Sequence, residues 1–227
     1  EYVTEHSLID QEALNRGTSV YLTDRVIPML PRVLCNGICS LNPEEDRLTL
    51  SCVMDIDASG KILNHEICES VIRSDKRMSY SGVHAILTNT ELTNGEDIAS
   101  YLPYKPLLER MYELSQLLRK RRYERGGIDF DFPETKIILD AQGHVTDIHP
   151  YERNEAHMLI EDFMLAANET VAEDFFWQQV PFVFRVHEKP DAEKFQQLSL
   201  AIENFGHFIR IRDDESIRPK EVQKLLD

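Results

Sequence analysis

The segment NRGTSVYLTDRVIPMLPRVLCNGICSLNP, residues 15–43, joins a strand-like start to an unusual number of turn-forming residues. The β-branched and aromatic side chains of residues 18–22 predict a short strand. Pro28 and Pro31 then remove two backbone donors, which excludes a central strand or a helix interior. Two turn dipeptides follow, Asn36-Gly37 and Asn42-Pro43. The segment is therefore either a rigid loop that serves a site or a proline-stiffened crossing of the core.

The composition is that of an ordinary soluble globular protein, with 42% hydrophobic and 29% charged side chains among 227 residues. This length allows one large domain or two small ones, each with a sizeable core. No run of the sequence approaches the roughly 18 apolar residues that cross a bilayer, and no charged-then-apolar leader opens the chain. We therefore expect a cytoplasmic protein that has no membrane partner.

The formal net charge of −15 argues against a broad nucleic-acid-binding surface, because non-specific affinity comes from cations that displace phosphate counterions. One dense basic cluster is the local exception, and it lies at the end of a predicted helix. It consists of Arg119, Lys120, Arg121, Arg122 and Arg125. These cations either complement the negative end of the helix dipole or contact phosphate groups.

Two antiparallel hairpins are predicted from β-rich runs that are separated by an aspartate-to-glycine turn. The paired runs are 47–57 with 61–74, and 136–139 with 144–149. Apolar residues at helical spacing predict helices between these hairpins and after them. These helices are a short one capped by Ser7, then 80–87, 106–123, 154–178, one that begins at Asp191, and one that begins at Pro219. The pattern predicts an α+β fold, in which helices pack on a mixed or antiparallel sheet.

Two smaller expectations concern the last part of the chain. The apolar run at residues 181–186 predicts a buried strand. In the helix that begins at Asp191, the spacing of the apolar side chains predicts that they face inward. These side chains are Phe195, Leu198, Ile202 and Phe205.

The helix that begins at Asn154 has the strongest pattern. Its apolar face comprises Ala156, Leu159, Ile160, Phe163, Ala167 and Val171. At 100° per residue, the side chains of His157, Glu161 and Asn168 fall along one flank of that face. Such a polar strip either lines a cleft or is simply solvated.

Candidate metal ligands are poorly clustered in this sequence. The four cysteines, Cys35, Cys39, Cys52 and Cys68, form no Cys-x-x-Cys pair and lack a histidine at zinc-finger spacing, so we expect free thiols. Metal-dependent hydrolysis of a phosphodiester needs several carboxylates that converge on the ions. Asp55 and Asp57 are adjacent to a hairpin turn, and Asp129 and Asp131 flank one aromatic residue. Neither pair makes a convincing cluster.

Six motifs together resemble the catalytic domain of the ribonuclease II and ribonuclease R family of exoribonucleases. They span nearly the whole chain: RGTSVY at 16–21, VIPMLP at 26–31, ICSLNP at 38–43, ERGGIDF at 124–130, NEAHMLIEDFMLAAN at 154–168, and FRVHEKP at 184–190. The similarity is greater to the ribonuclease R branch. It implies a processive 3′ to 5′ exoribonuclease that binds single-stranded RNA at its 3′ end, acts as a monomer and releases nucleoside 5′-monophosphates.

The resemblance also implies that residues 1–227 form an incomplete RNB catalytic domain. Members of the family carry a metal-binding aspartate cluster upstream of this region and a catalytic arginine motif downstream of it, and neither motif occurs in the sequence. No cold-shock or S1-type domain is present either. We therefore expect Mg²⁺ in the parent enzyme, no metal bound to this chain, and no catalytic activity of the chain alone. A nuclease-dead RNA- or protein-binding module of the same fold is the alternative.

Four residues match family positions that bind the RNA 3′ end. By this resemblance Tyr21 packs against the terminal nucleotides and Phe130 clamps the far end of the stacked bases, where each stack contributes roughly 1 to 3 kcal/mol without reading sequence. Tyr80 and Glu161 match a pair near the terminal ribose, which senses the 2′-hydroxyl and so favours RNA over DNA. Taken singly, each of the four could be an ordinary packing or surface residue.

Overall fold

The computed structural model describes residues 2–91, 97–128, 134–187, 191–208 and 219–223. Antiparallel strand pairs alternate with helices along these residues, which confirms the α+β class. The strands are β1 Val20–Tyr21, β2 Val26–Ile27, β3 Asp46–Ile56, β4 Ile62–Arg73, β5 Thr135–Leu139 and β6 Val145–Pro150. The α-helices are α1 Leu8–Arg16, α2 Tyr80–Thr88, α3 Lys105–Glu124, α4 Glu155–Gln178, α5 Ala192–Glu203 and α6 Pro219–Gln223.

Both predicted hairpins form, and in each turn an aspartate side chain accepts two backbone hydrogen bonds. β3 pairs with β4 from Asp46↔Arg73 to Ile56↔Ile62, and β5 pairs with β6. In the first turn, Asp57 Oδ1 accepts hydrogen bonds from the backbone N–H groups of Ser59 at 2.8 Å and Lys61 at 2.9 Å. Asp140 accepts the equivalent pair of backbone hydrogen bonds in the second turn. A glycine with positive φ completes each turn, since other residues rarely adopt this conformation.

Helices α2 and α4, which carry the candidate site, each have a side-chain cap at the N-terminus. The hydroxyl of Ser79 accepts a hydrogen bond from the backbone N–H of Gly82 at 2.9 Å, so that α2 begins at Tyr80. Asn154 caps α4 by accepting from the backbone N–H groups of Ala156 and His157. These caps satisfy donors that the first turn of a helix otherwise leaves unpaired.

The core lies where α2, the 3₁₀ helix Ile98–Tyr104 and the first half of α3 meet. Its buried centre is formed by Ile86, Tyr101 and Leu108. Burial of each such side chain contributes roughly 1.5 to 3 kcal/mol. The hydroxyl of Tyr101 also accepts a hydrogen bond from the backbone N–H of Ser79 at 3.2 Å, which ties the start of α2 to this core. Helix α4 packs against both α2 and α3.

The buried stripe of α4 differs from the predicted apolar face. It is formed by Ala156, Leu159, Asp162, Ala166 and Thr170, whereas Ile160 is exposed. Two polar side chains enter the stripe because both have partners: Asp162 bonds to residues of α3, and Thr170 Oγ1 donates to the carbonyl of Ala166 at 2.7 Å. A hydrophobicity pattern cannot report such satisfied polar groups.

Of two predictions for the last part of the chain, one is wrong and the other holds only in part. Residues 181–186 form no strand, and Val183 is 94% exposed. Instead of pairing through its backbone, this segment packs its aromatic side chains: the rings of Phe182 and Phe175 of α4 stack with centroids 4.8 Å apart. Phe195 of α5 is buried as predicted, but Leu198 is 43% and Phe205 81% exposed among the described residues.

The opening segment is more regular than a loop. β1 and β2 form a short antiparallel pair in which Tyr21 lies opposite Val26. The predicted turn at Asn36-Gly37 is instead part of a π-helix, Val33–Ile38. The guanidinium of Arg47 on β3 donates to the carbonyl of Ser40 at 2.8 Å and so fixes the end of the segment. None of the helices in the described residues has both the length and the apolar character needed to cross a membrane.

Candidate functional site

The centre of the site is an aromatic stack between two helix starts. Tyr80 is the first residue of α2, and His157 is the third residue of α4. Their rings lie face to face, with centroids 3.9 Å apart and an interplanar angle of 17°. Tyr80 remains 46% exposed and lines a groove.

Both ring nitrogens of His157 are hydrogen bonded. Nδ1 lies 2.8 Å from Asn154 Oδ1, and Nε2 lies 2.7 Å from the hydroxyl of Tyr151. Since an amide oxygen only accepts, the first contact needs a proton on Nδ1, and Tyr151 then donates to Nε2. In the other tautomer, Nδ1 accepts from the backbone N–H of Asn154 at 3.3 Å. Either tautomer fixes the ring on both edges.

The imidazole of His157 is held in its neutral form. Burial lowers the pKa of His157 below its usual value, and the positive charges of Arg153 and His84 lower it further. A neutral ring keeps an acceptor nitrogen for Tyr151, which an imidazolium would lose. The stack beneath Tyr80 is therefore uncharged at neutral pH.

Two arginines engage the two carboxylate oxygens of Glu161, which lies one helical turn after His157. Arg122 Nη1 lies 3.3 Å from Oε1. Arg153 donates to Oε2 from the loop that precedes α4. The Glu161 side chain is 35% exposed, so it is not sealed in the interior. Residues four apart on a helix have Cβ atoms about 5 to 6 Å apart, so His157 and Glu161 present neighbouring polar groups.

Asp162 forms a buried anchor beneath this pair. Its side chain is only 1% exposed. It accepts hydrogen bonds from Ser115 Oγ at 2.8 Å and Arg119 Nε at 3.1 Å, and Arg122 Nη2 lies 3.4 Å from its other oxygen. A buried carboxylate is tolerated because these donors replace its water.

The basic cluster of α3 is thus divided between different roles. Arg119 and Arg122 reach across to α4 and join Asp162 and Glu161. Arg125 pairs with Glu169 at 2.9 Å on the exposed side of α4. The sequence suggested either complementation of the helix dipole or phosphate contact for these cations. Ion pairing between helices, which the structure shows for three of them, needs the relative position of α3 and α4 and has no signature in the sequence.

The stacked pair borders a groove with a volume of about 860 Å³. Aromatic and histidine rings form part of its wall, and two cationic side chains also line it. The rings are those of Tyr80, Tyr101, Tyr151, His149 and His157, and the cations are Arg77 and Lys136. Flat rings beside cations suit a ligand that carries both bases and phosphates.

Tyr21 lies in a different depression, of about 450 Å³, together with Ser19, Arg32 and Asn36. Its ring is 79% exposed. Among the described residues, the lining of this depression has no member in common with the groove at Tyr80. Tyr80 thus lines the groove, Glu161 lies one helical turn after its stacking partner His157, and Tyr21 lies in a separate depression. Phe130, the fourth predicted residue, lies outside the described residues.

The described residues contain no group of three or more histidine, cysteine, aspartate or glutamate side chains that fits a metal ion. Asp57, one of the acidic candidates, is instead committed to its hairpin turn, where hydrogen bonds from Ser59 and Lys61 lower the pKa of its carboxyl group. Asp129 and Asp131 are outside the described residues. The donor set of the described residues therefore does not fit Mg²⁺.

The fold and the site define an α+β domain in which a stacked tyrosine–histidine pair borders a groove, and comparison with known proteins supplies its family. Residues 1–227 match the RNB domain. The chain belongs to this family, as its motifs indicated.

Two curated relatives are named Ribonuclease R. The Thermotoga maritima protein is 48% identical over 227 residues, which is 100% of this chain and 31% of that protein. The Escherichia coli protein is 36% identical over 226 residues, which is 100% of this chain and 27% of that protein. The chain therefore spans about a third of the length of its curated relatives.

A solved structure shows the same fold. Mycoplasma genitalium RNase R, in complex with ribose-methylated single-stranded RNA, matches with a TM-score of 0.85 and 30% identity. The match covers 99% of this chain and 34% of that chain.

Sequence reasoning missed three contributors to the site: Tyr151, Arg153 and the stacking role of His157. Tyr151 and Arg153 precede α4 in a segment without periodicity, so no pattern marks them. His157 carried a weak signal, because a hydrogen-bonding side chain three residues after Asn154 completes a capping box.

Proposed function

We propose that this chain is part of a longer, monomeric and cytoplasmic exoribonuclease that degrades single-stranded RNA processively from its 3′ end and releases nucleoside 5′-monophosphates. Family membership supports the nuclease class. The observation that carries the proposal is that Tyr80 stacks on His157, one helical turn before Glu161, whose carboxylate is held by Arg122 and Arg153. Tyr80 offers a hydroxyl and Glu161 a carboxylate for one ligand.

The pair suits recognition of a terminal ribose. A 2′-hydroxyl donates a hydrogen bond to the Glu161 carboxylate, and the hydroxyl of Tyr80 bonds to the same sugar. A deoxyribose lacks the donor and leaves the carboxylate unpaired, so RNA is favoured over DNA. Because both groups are fixed before the ligand arrives, little conformational entropy is lost on binding.

The aromatic side chains suit the bases. Tyr21 is exposed on β1 and available for stacking, and Phe130 is proposed to clamp the far end of the stacked bases. Stacking on such rings is tolerant of sequence, as an enzyme that degrades many RNAs requires. Cations at the groove, Arg77 and Lys136, provide local attraction for phosphates in a chain whose net charge is −15.

Mg²⁺ is proposed as the cofactor of the longer protein, with its aspartate ligands and a catalytic arginine supplied by segments other than residues 1–227. The test uses the full-length gene product, Mg²⁺ and a single-stranded RNA labelled at its 5′ end. We expect a ladder of products shortened from the 3′ end and the appearance of nucleoside 5′-monophosphates. An intact RNA at every time point would contradict the proposal.

A nuclease-dead binding module of the same fold is the second candidate, and it is favoured by the lack of a metal-binding carboxylate group among the described residues. The same experiment separates the two candidates. Retention of the labelled RNA in a salt-sensitive complex without shortening would support the binding module.

A further inference from the structure

We propose that His157 is a positioning residue for ribose recognition: its ring is the platform that holds Tyr80 in the orientation needed at the terminal sugar. This inference rests on the proposed function, because the role of Tyr80 is defined there. It adds a residue to which neither the family motifs nor the comparisons give a role.

The geometry of the stack supports this role. An interplanar angle of 17° at a centroid distance of 3.9 Å brings most of the two ring faces into contact. A tyrosine at the first position of a helix has no preceding helical turn to restrict its side chain. The face of His157 therefore supplies a restraint on Tyr80 that helix α2 does not.

The ring of His157, the platform for Tyr80, is itself held at both edges by hydrogen bonds. Asn154 holds one edge of the imidazole at 2.8 Å, and Tyr151 holds the other at 2.7 Å. With both ring nitrogens bonded, rotation about the Cβ–Cγ bond of His157 breaks two hydrogen bonds. The orientation of the ring, and with it that of Tyr80, is set by the start of α4.

The position of His157 on α4 couples the two halves of the ribose site. Glu161 follows four residues later, on the same face of the same helix. A rigid helix thus carries the carboxylate directly and Tyr80 indirectly, through the stack. The separation of the two sensing groups is then fixed by one element instead of by the relative movement of α2 and α4.

Two reciprocal substitutions separate the platform from the helix cap. His157→Gln keeps a side chain able to complete the capping box at the third helical position, but it removes the ring. His157→Phe keeps a flat ring and removes both hydrogen bonds. His144→Gln, on the 80% exposed histidine of the second hairpin turn, is the matched control.

The measurement uses the full-length protein and two single-stranded RNAs. They are identical except that the 3′-terminal nucleotide of one is a 2′-deoxyribonucleotide. The discrimination is the ratio of the two degradation rates. We expect His157→Gln to lower this ratio by roughly 3- to 10-fold, the size expected for loss of one aromatic stack. His157→Phe should retain most of the ratio, and His144→Gln all of it.

A double variant distinguishes positioning from a general structural effect. If His157 acts through Tyr80, the variant Tyr80→Leu/His157→Gln should discriminate no worse than Tyr80→Leu alone. Equal discrimination by wild type and His157→Gln, or additive losses in the double variant, would overturn the inference and leave the proposed function intact. If the wild type degrades both RNAs equally, or degrades neither, the proposed function fails and the inference fails with it.

Discussion

Arg122 links Glu161 to the interior of the protein: one of its terminal nitrogens lies 3.3 Å from the Glu161 carboxylate and the other 3.4 Å from that of Asp162. A single guanidinium thus bridges the half-buried carboxylate of Glu161 and the fully buried carboxylate of Asp162. Bidentate bridging of this kind depends on the planar fork of arginine, which lysine does not provide.

Glu161 is expected to control ribose selectivity. In the full-length protein, Glu161→Gln should lower discrimination against a 3′-terminal deoxynucleotide by about 10- to 100-fold, because a charge-assisted hydrogen bond to the 2′-hydroxyl is lost. Relative degradation rates of the two RNAs measure this change. Glu169→Gln, on the exposed partner of Arg125, is the control. A Glu161→Gln variant that rejects the deoxy end as strictly as wild type would disprove the assigned role.

Asp162 is expected to control stability. Replacing it with alanine leaves Ser115, Arg119 and Arg122 without their shared partner in a buried site. The loss should be about 3 to 5 kcal/mol in the free energy of unfolding, which urea denaturation of the chain measures. For comparison, Glu169→Ala breaks a solvent-exposed ion pair and should cost no more than about 1 kcal/mol. Similar losses for the two variants would argue against the anchor.

Gly127 is expected to be required for the position of Arg122. A Cβ at residue 127 would lie 2.8 Å from Arg122 Cγ and 2.9 Å from its carbonyl oxygen. Gly127→Ala should therefore destabilise the chain by about 1 to 3 kcal/mol and also weaken ribose discrimination. Gly37→Ala is the matched control, since nothing lies within 4 Å of its Cβ. Unchanged unfolding and unchanged discrimination in Gly127→Ala would refute this constraint.

The pH dependence of stability should carry a contribution from His157. Its pKa is lower in the folded chain than in the unfolded one, so below the unfolded value of about 6.5 the unfolded state binds more protons at this residue. The contribution of His157 to stability is complete above that pH and declines as the pH falls through the folded pKa. Burial is the main cause of this lowered pKa, and the interactions with Arg153 and His84 add to it.

This contribution can be isolated by comparing urea midpoints of wild type and His157→Gln between pH 7.5 and 5. Glutamine does not titrate, so the wild type should lose more stability than the variant over this range. Parallel curves for the two proteins would show that the imidazole is not destabilised in its charged form.

The 227-residue chain alone is expected to be inactive. Without carboxylates that converge on Mg²⁺ in the described residues, it has no means to activate water for attack on a phosphodiester. Incubation with Mg²⁺ and 5′-labelled RNA should leave the RNA at its full length. Measurable trimming from the 3′ end would show that metal ligands exist within these residues.

Local chemistry was the part of the structure that the sequence predicted well. The turns at Asp57 and Asp140, and the caps at Ser7, Asn154 and Asp191, depend on residues at most four positions apart. Such short-range hydrogen bonds can be predicted from the sequence alone. The candidates Tyr80 and Glu161 came from family motifs; Tyr80 lines the groove, and Glu161 lies one helical turn after its stacking partner His157.

Long-range contacts were not predictable in the same way. Ser115 and Asp162 are 47 residues apart, and Arg122 and Glu161 are 39 apart. Their ion pairs depend on how α3 packs against α4, which is decided by side-chain shape over the whole interface. The wrong prediction of a strand at residues 181–186 has the same origin, because an apolar run does not reveal whether a partner strand is available.

The arrangement of His157, Glu161 and Asp162 on α4 makes the site sensitive to length as well as to residue type. Each residue added to an α-helix rotates everything beyond it by about 100° and shifts it by about 1.5 Å. A single inserted alanine between His157 and Glu161 would preserve every side chain named above, yet it would turn the carboxylate away from Arg122 and from the stacked tyrosine. An insertion or deletion between these two positions would therefore disrupt the site even though it removes none of the side chains that form it.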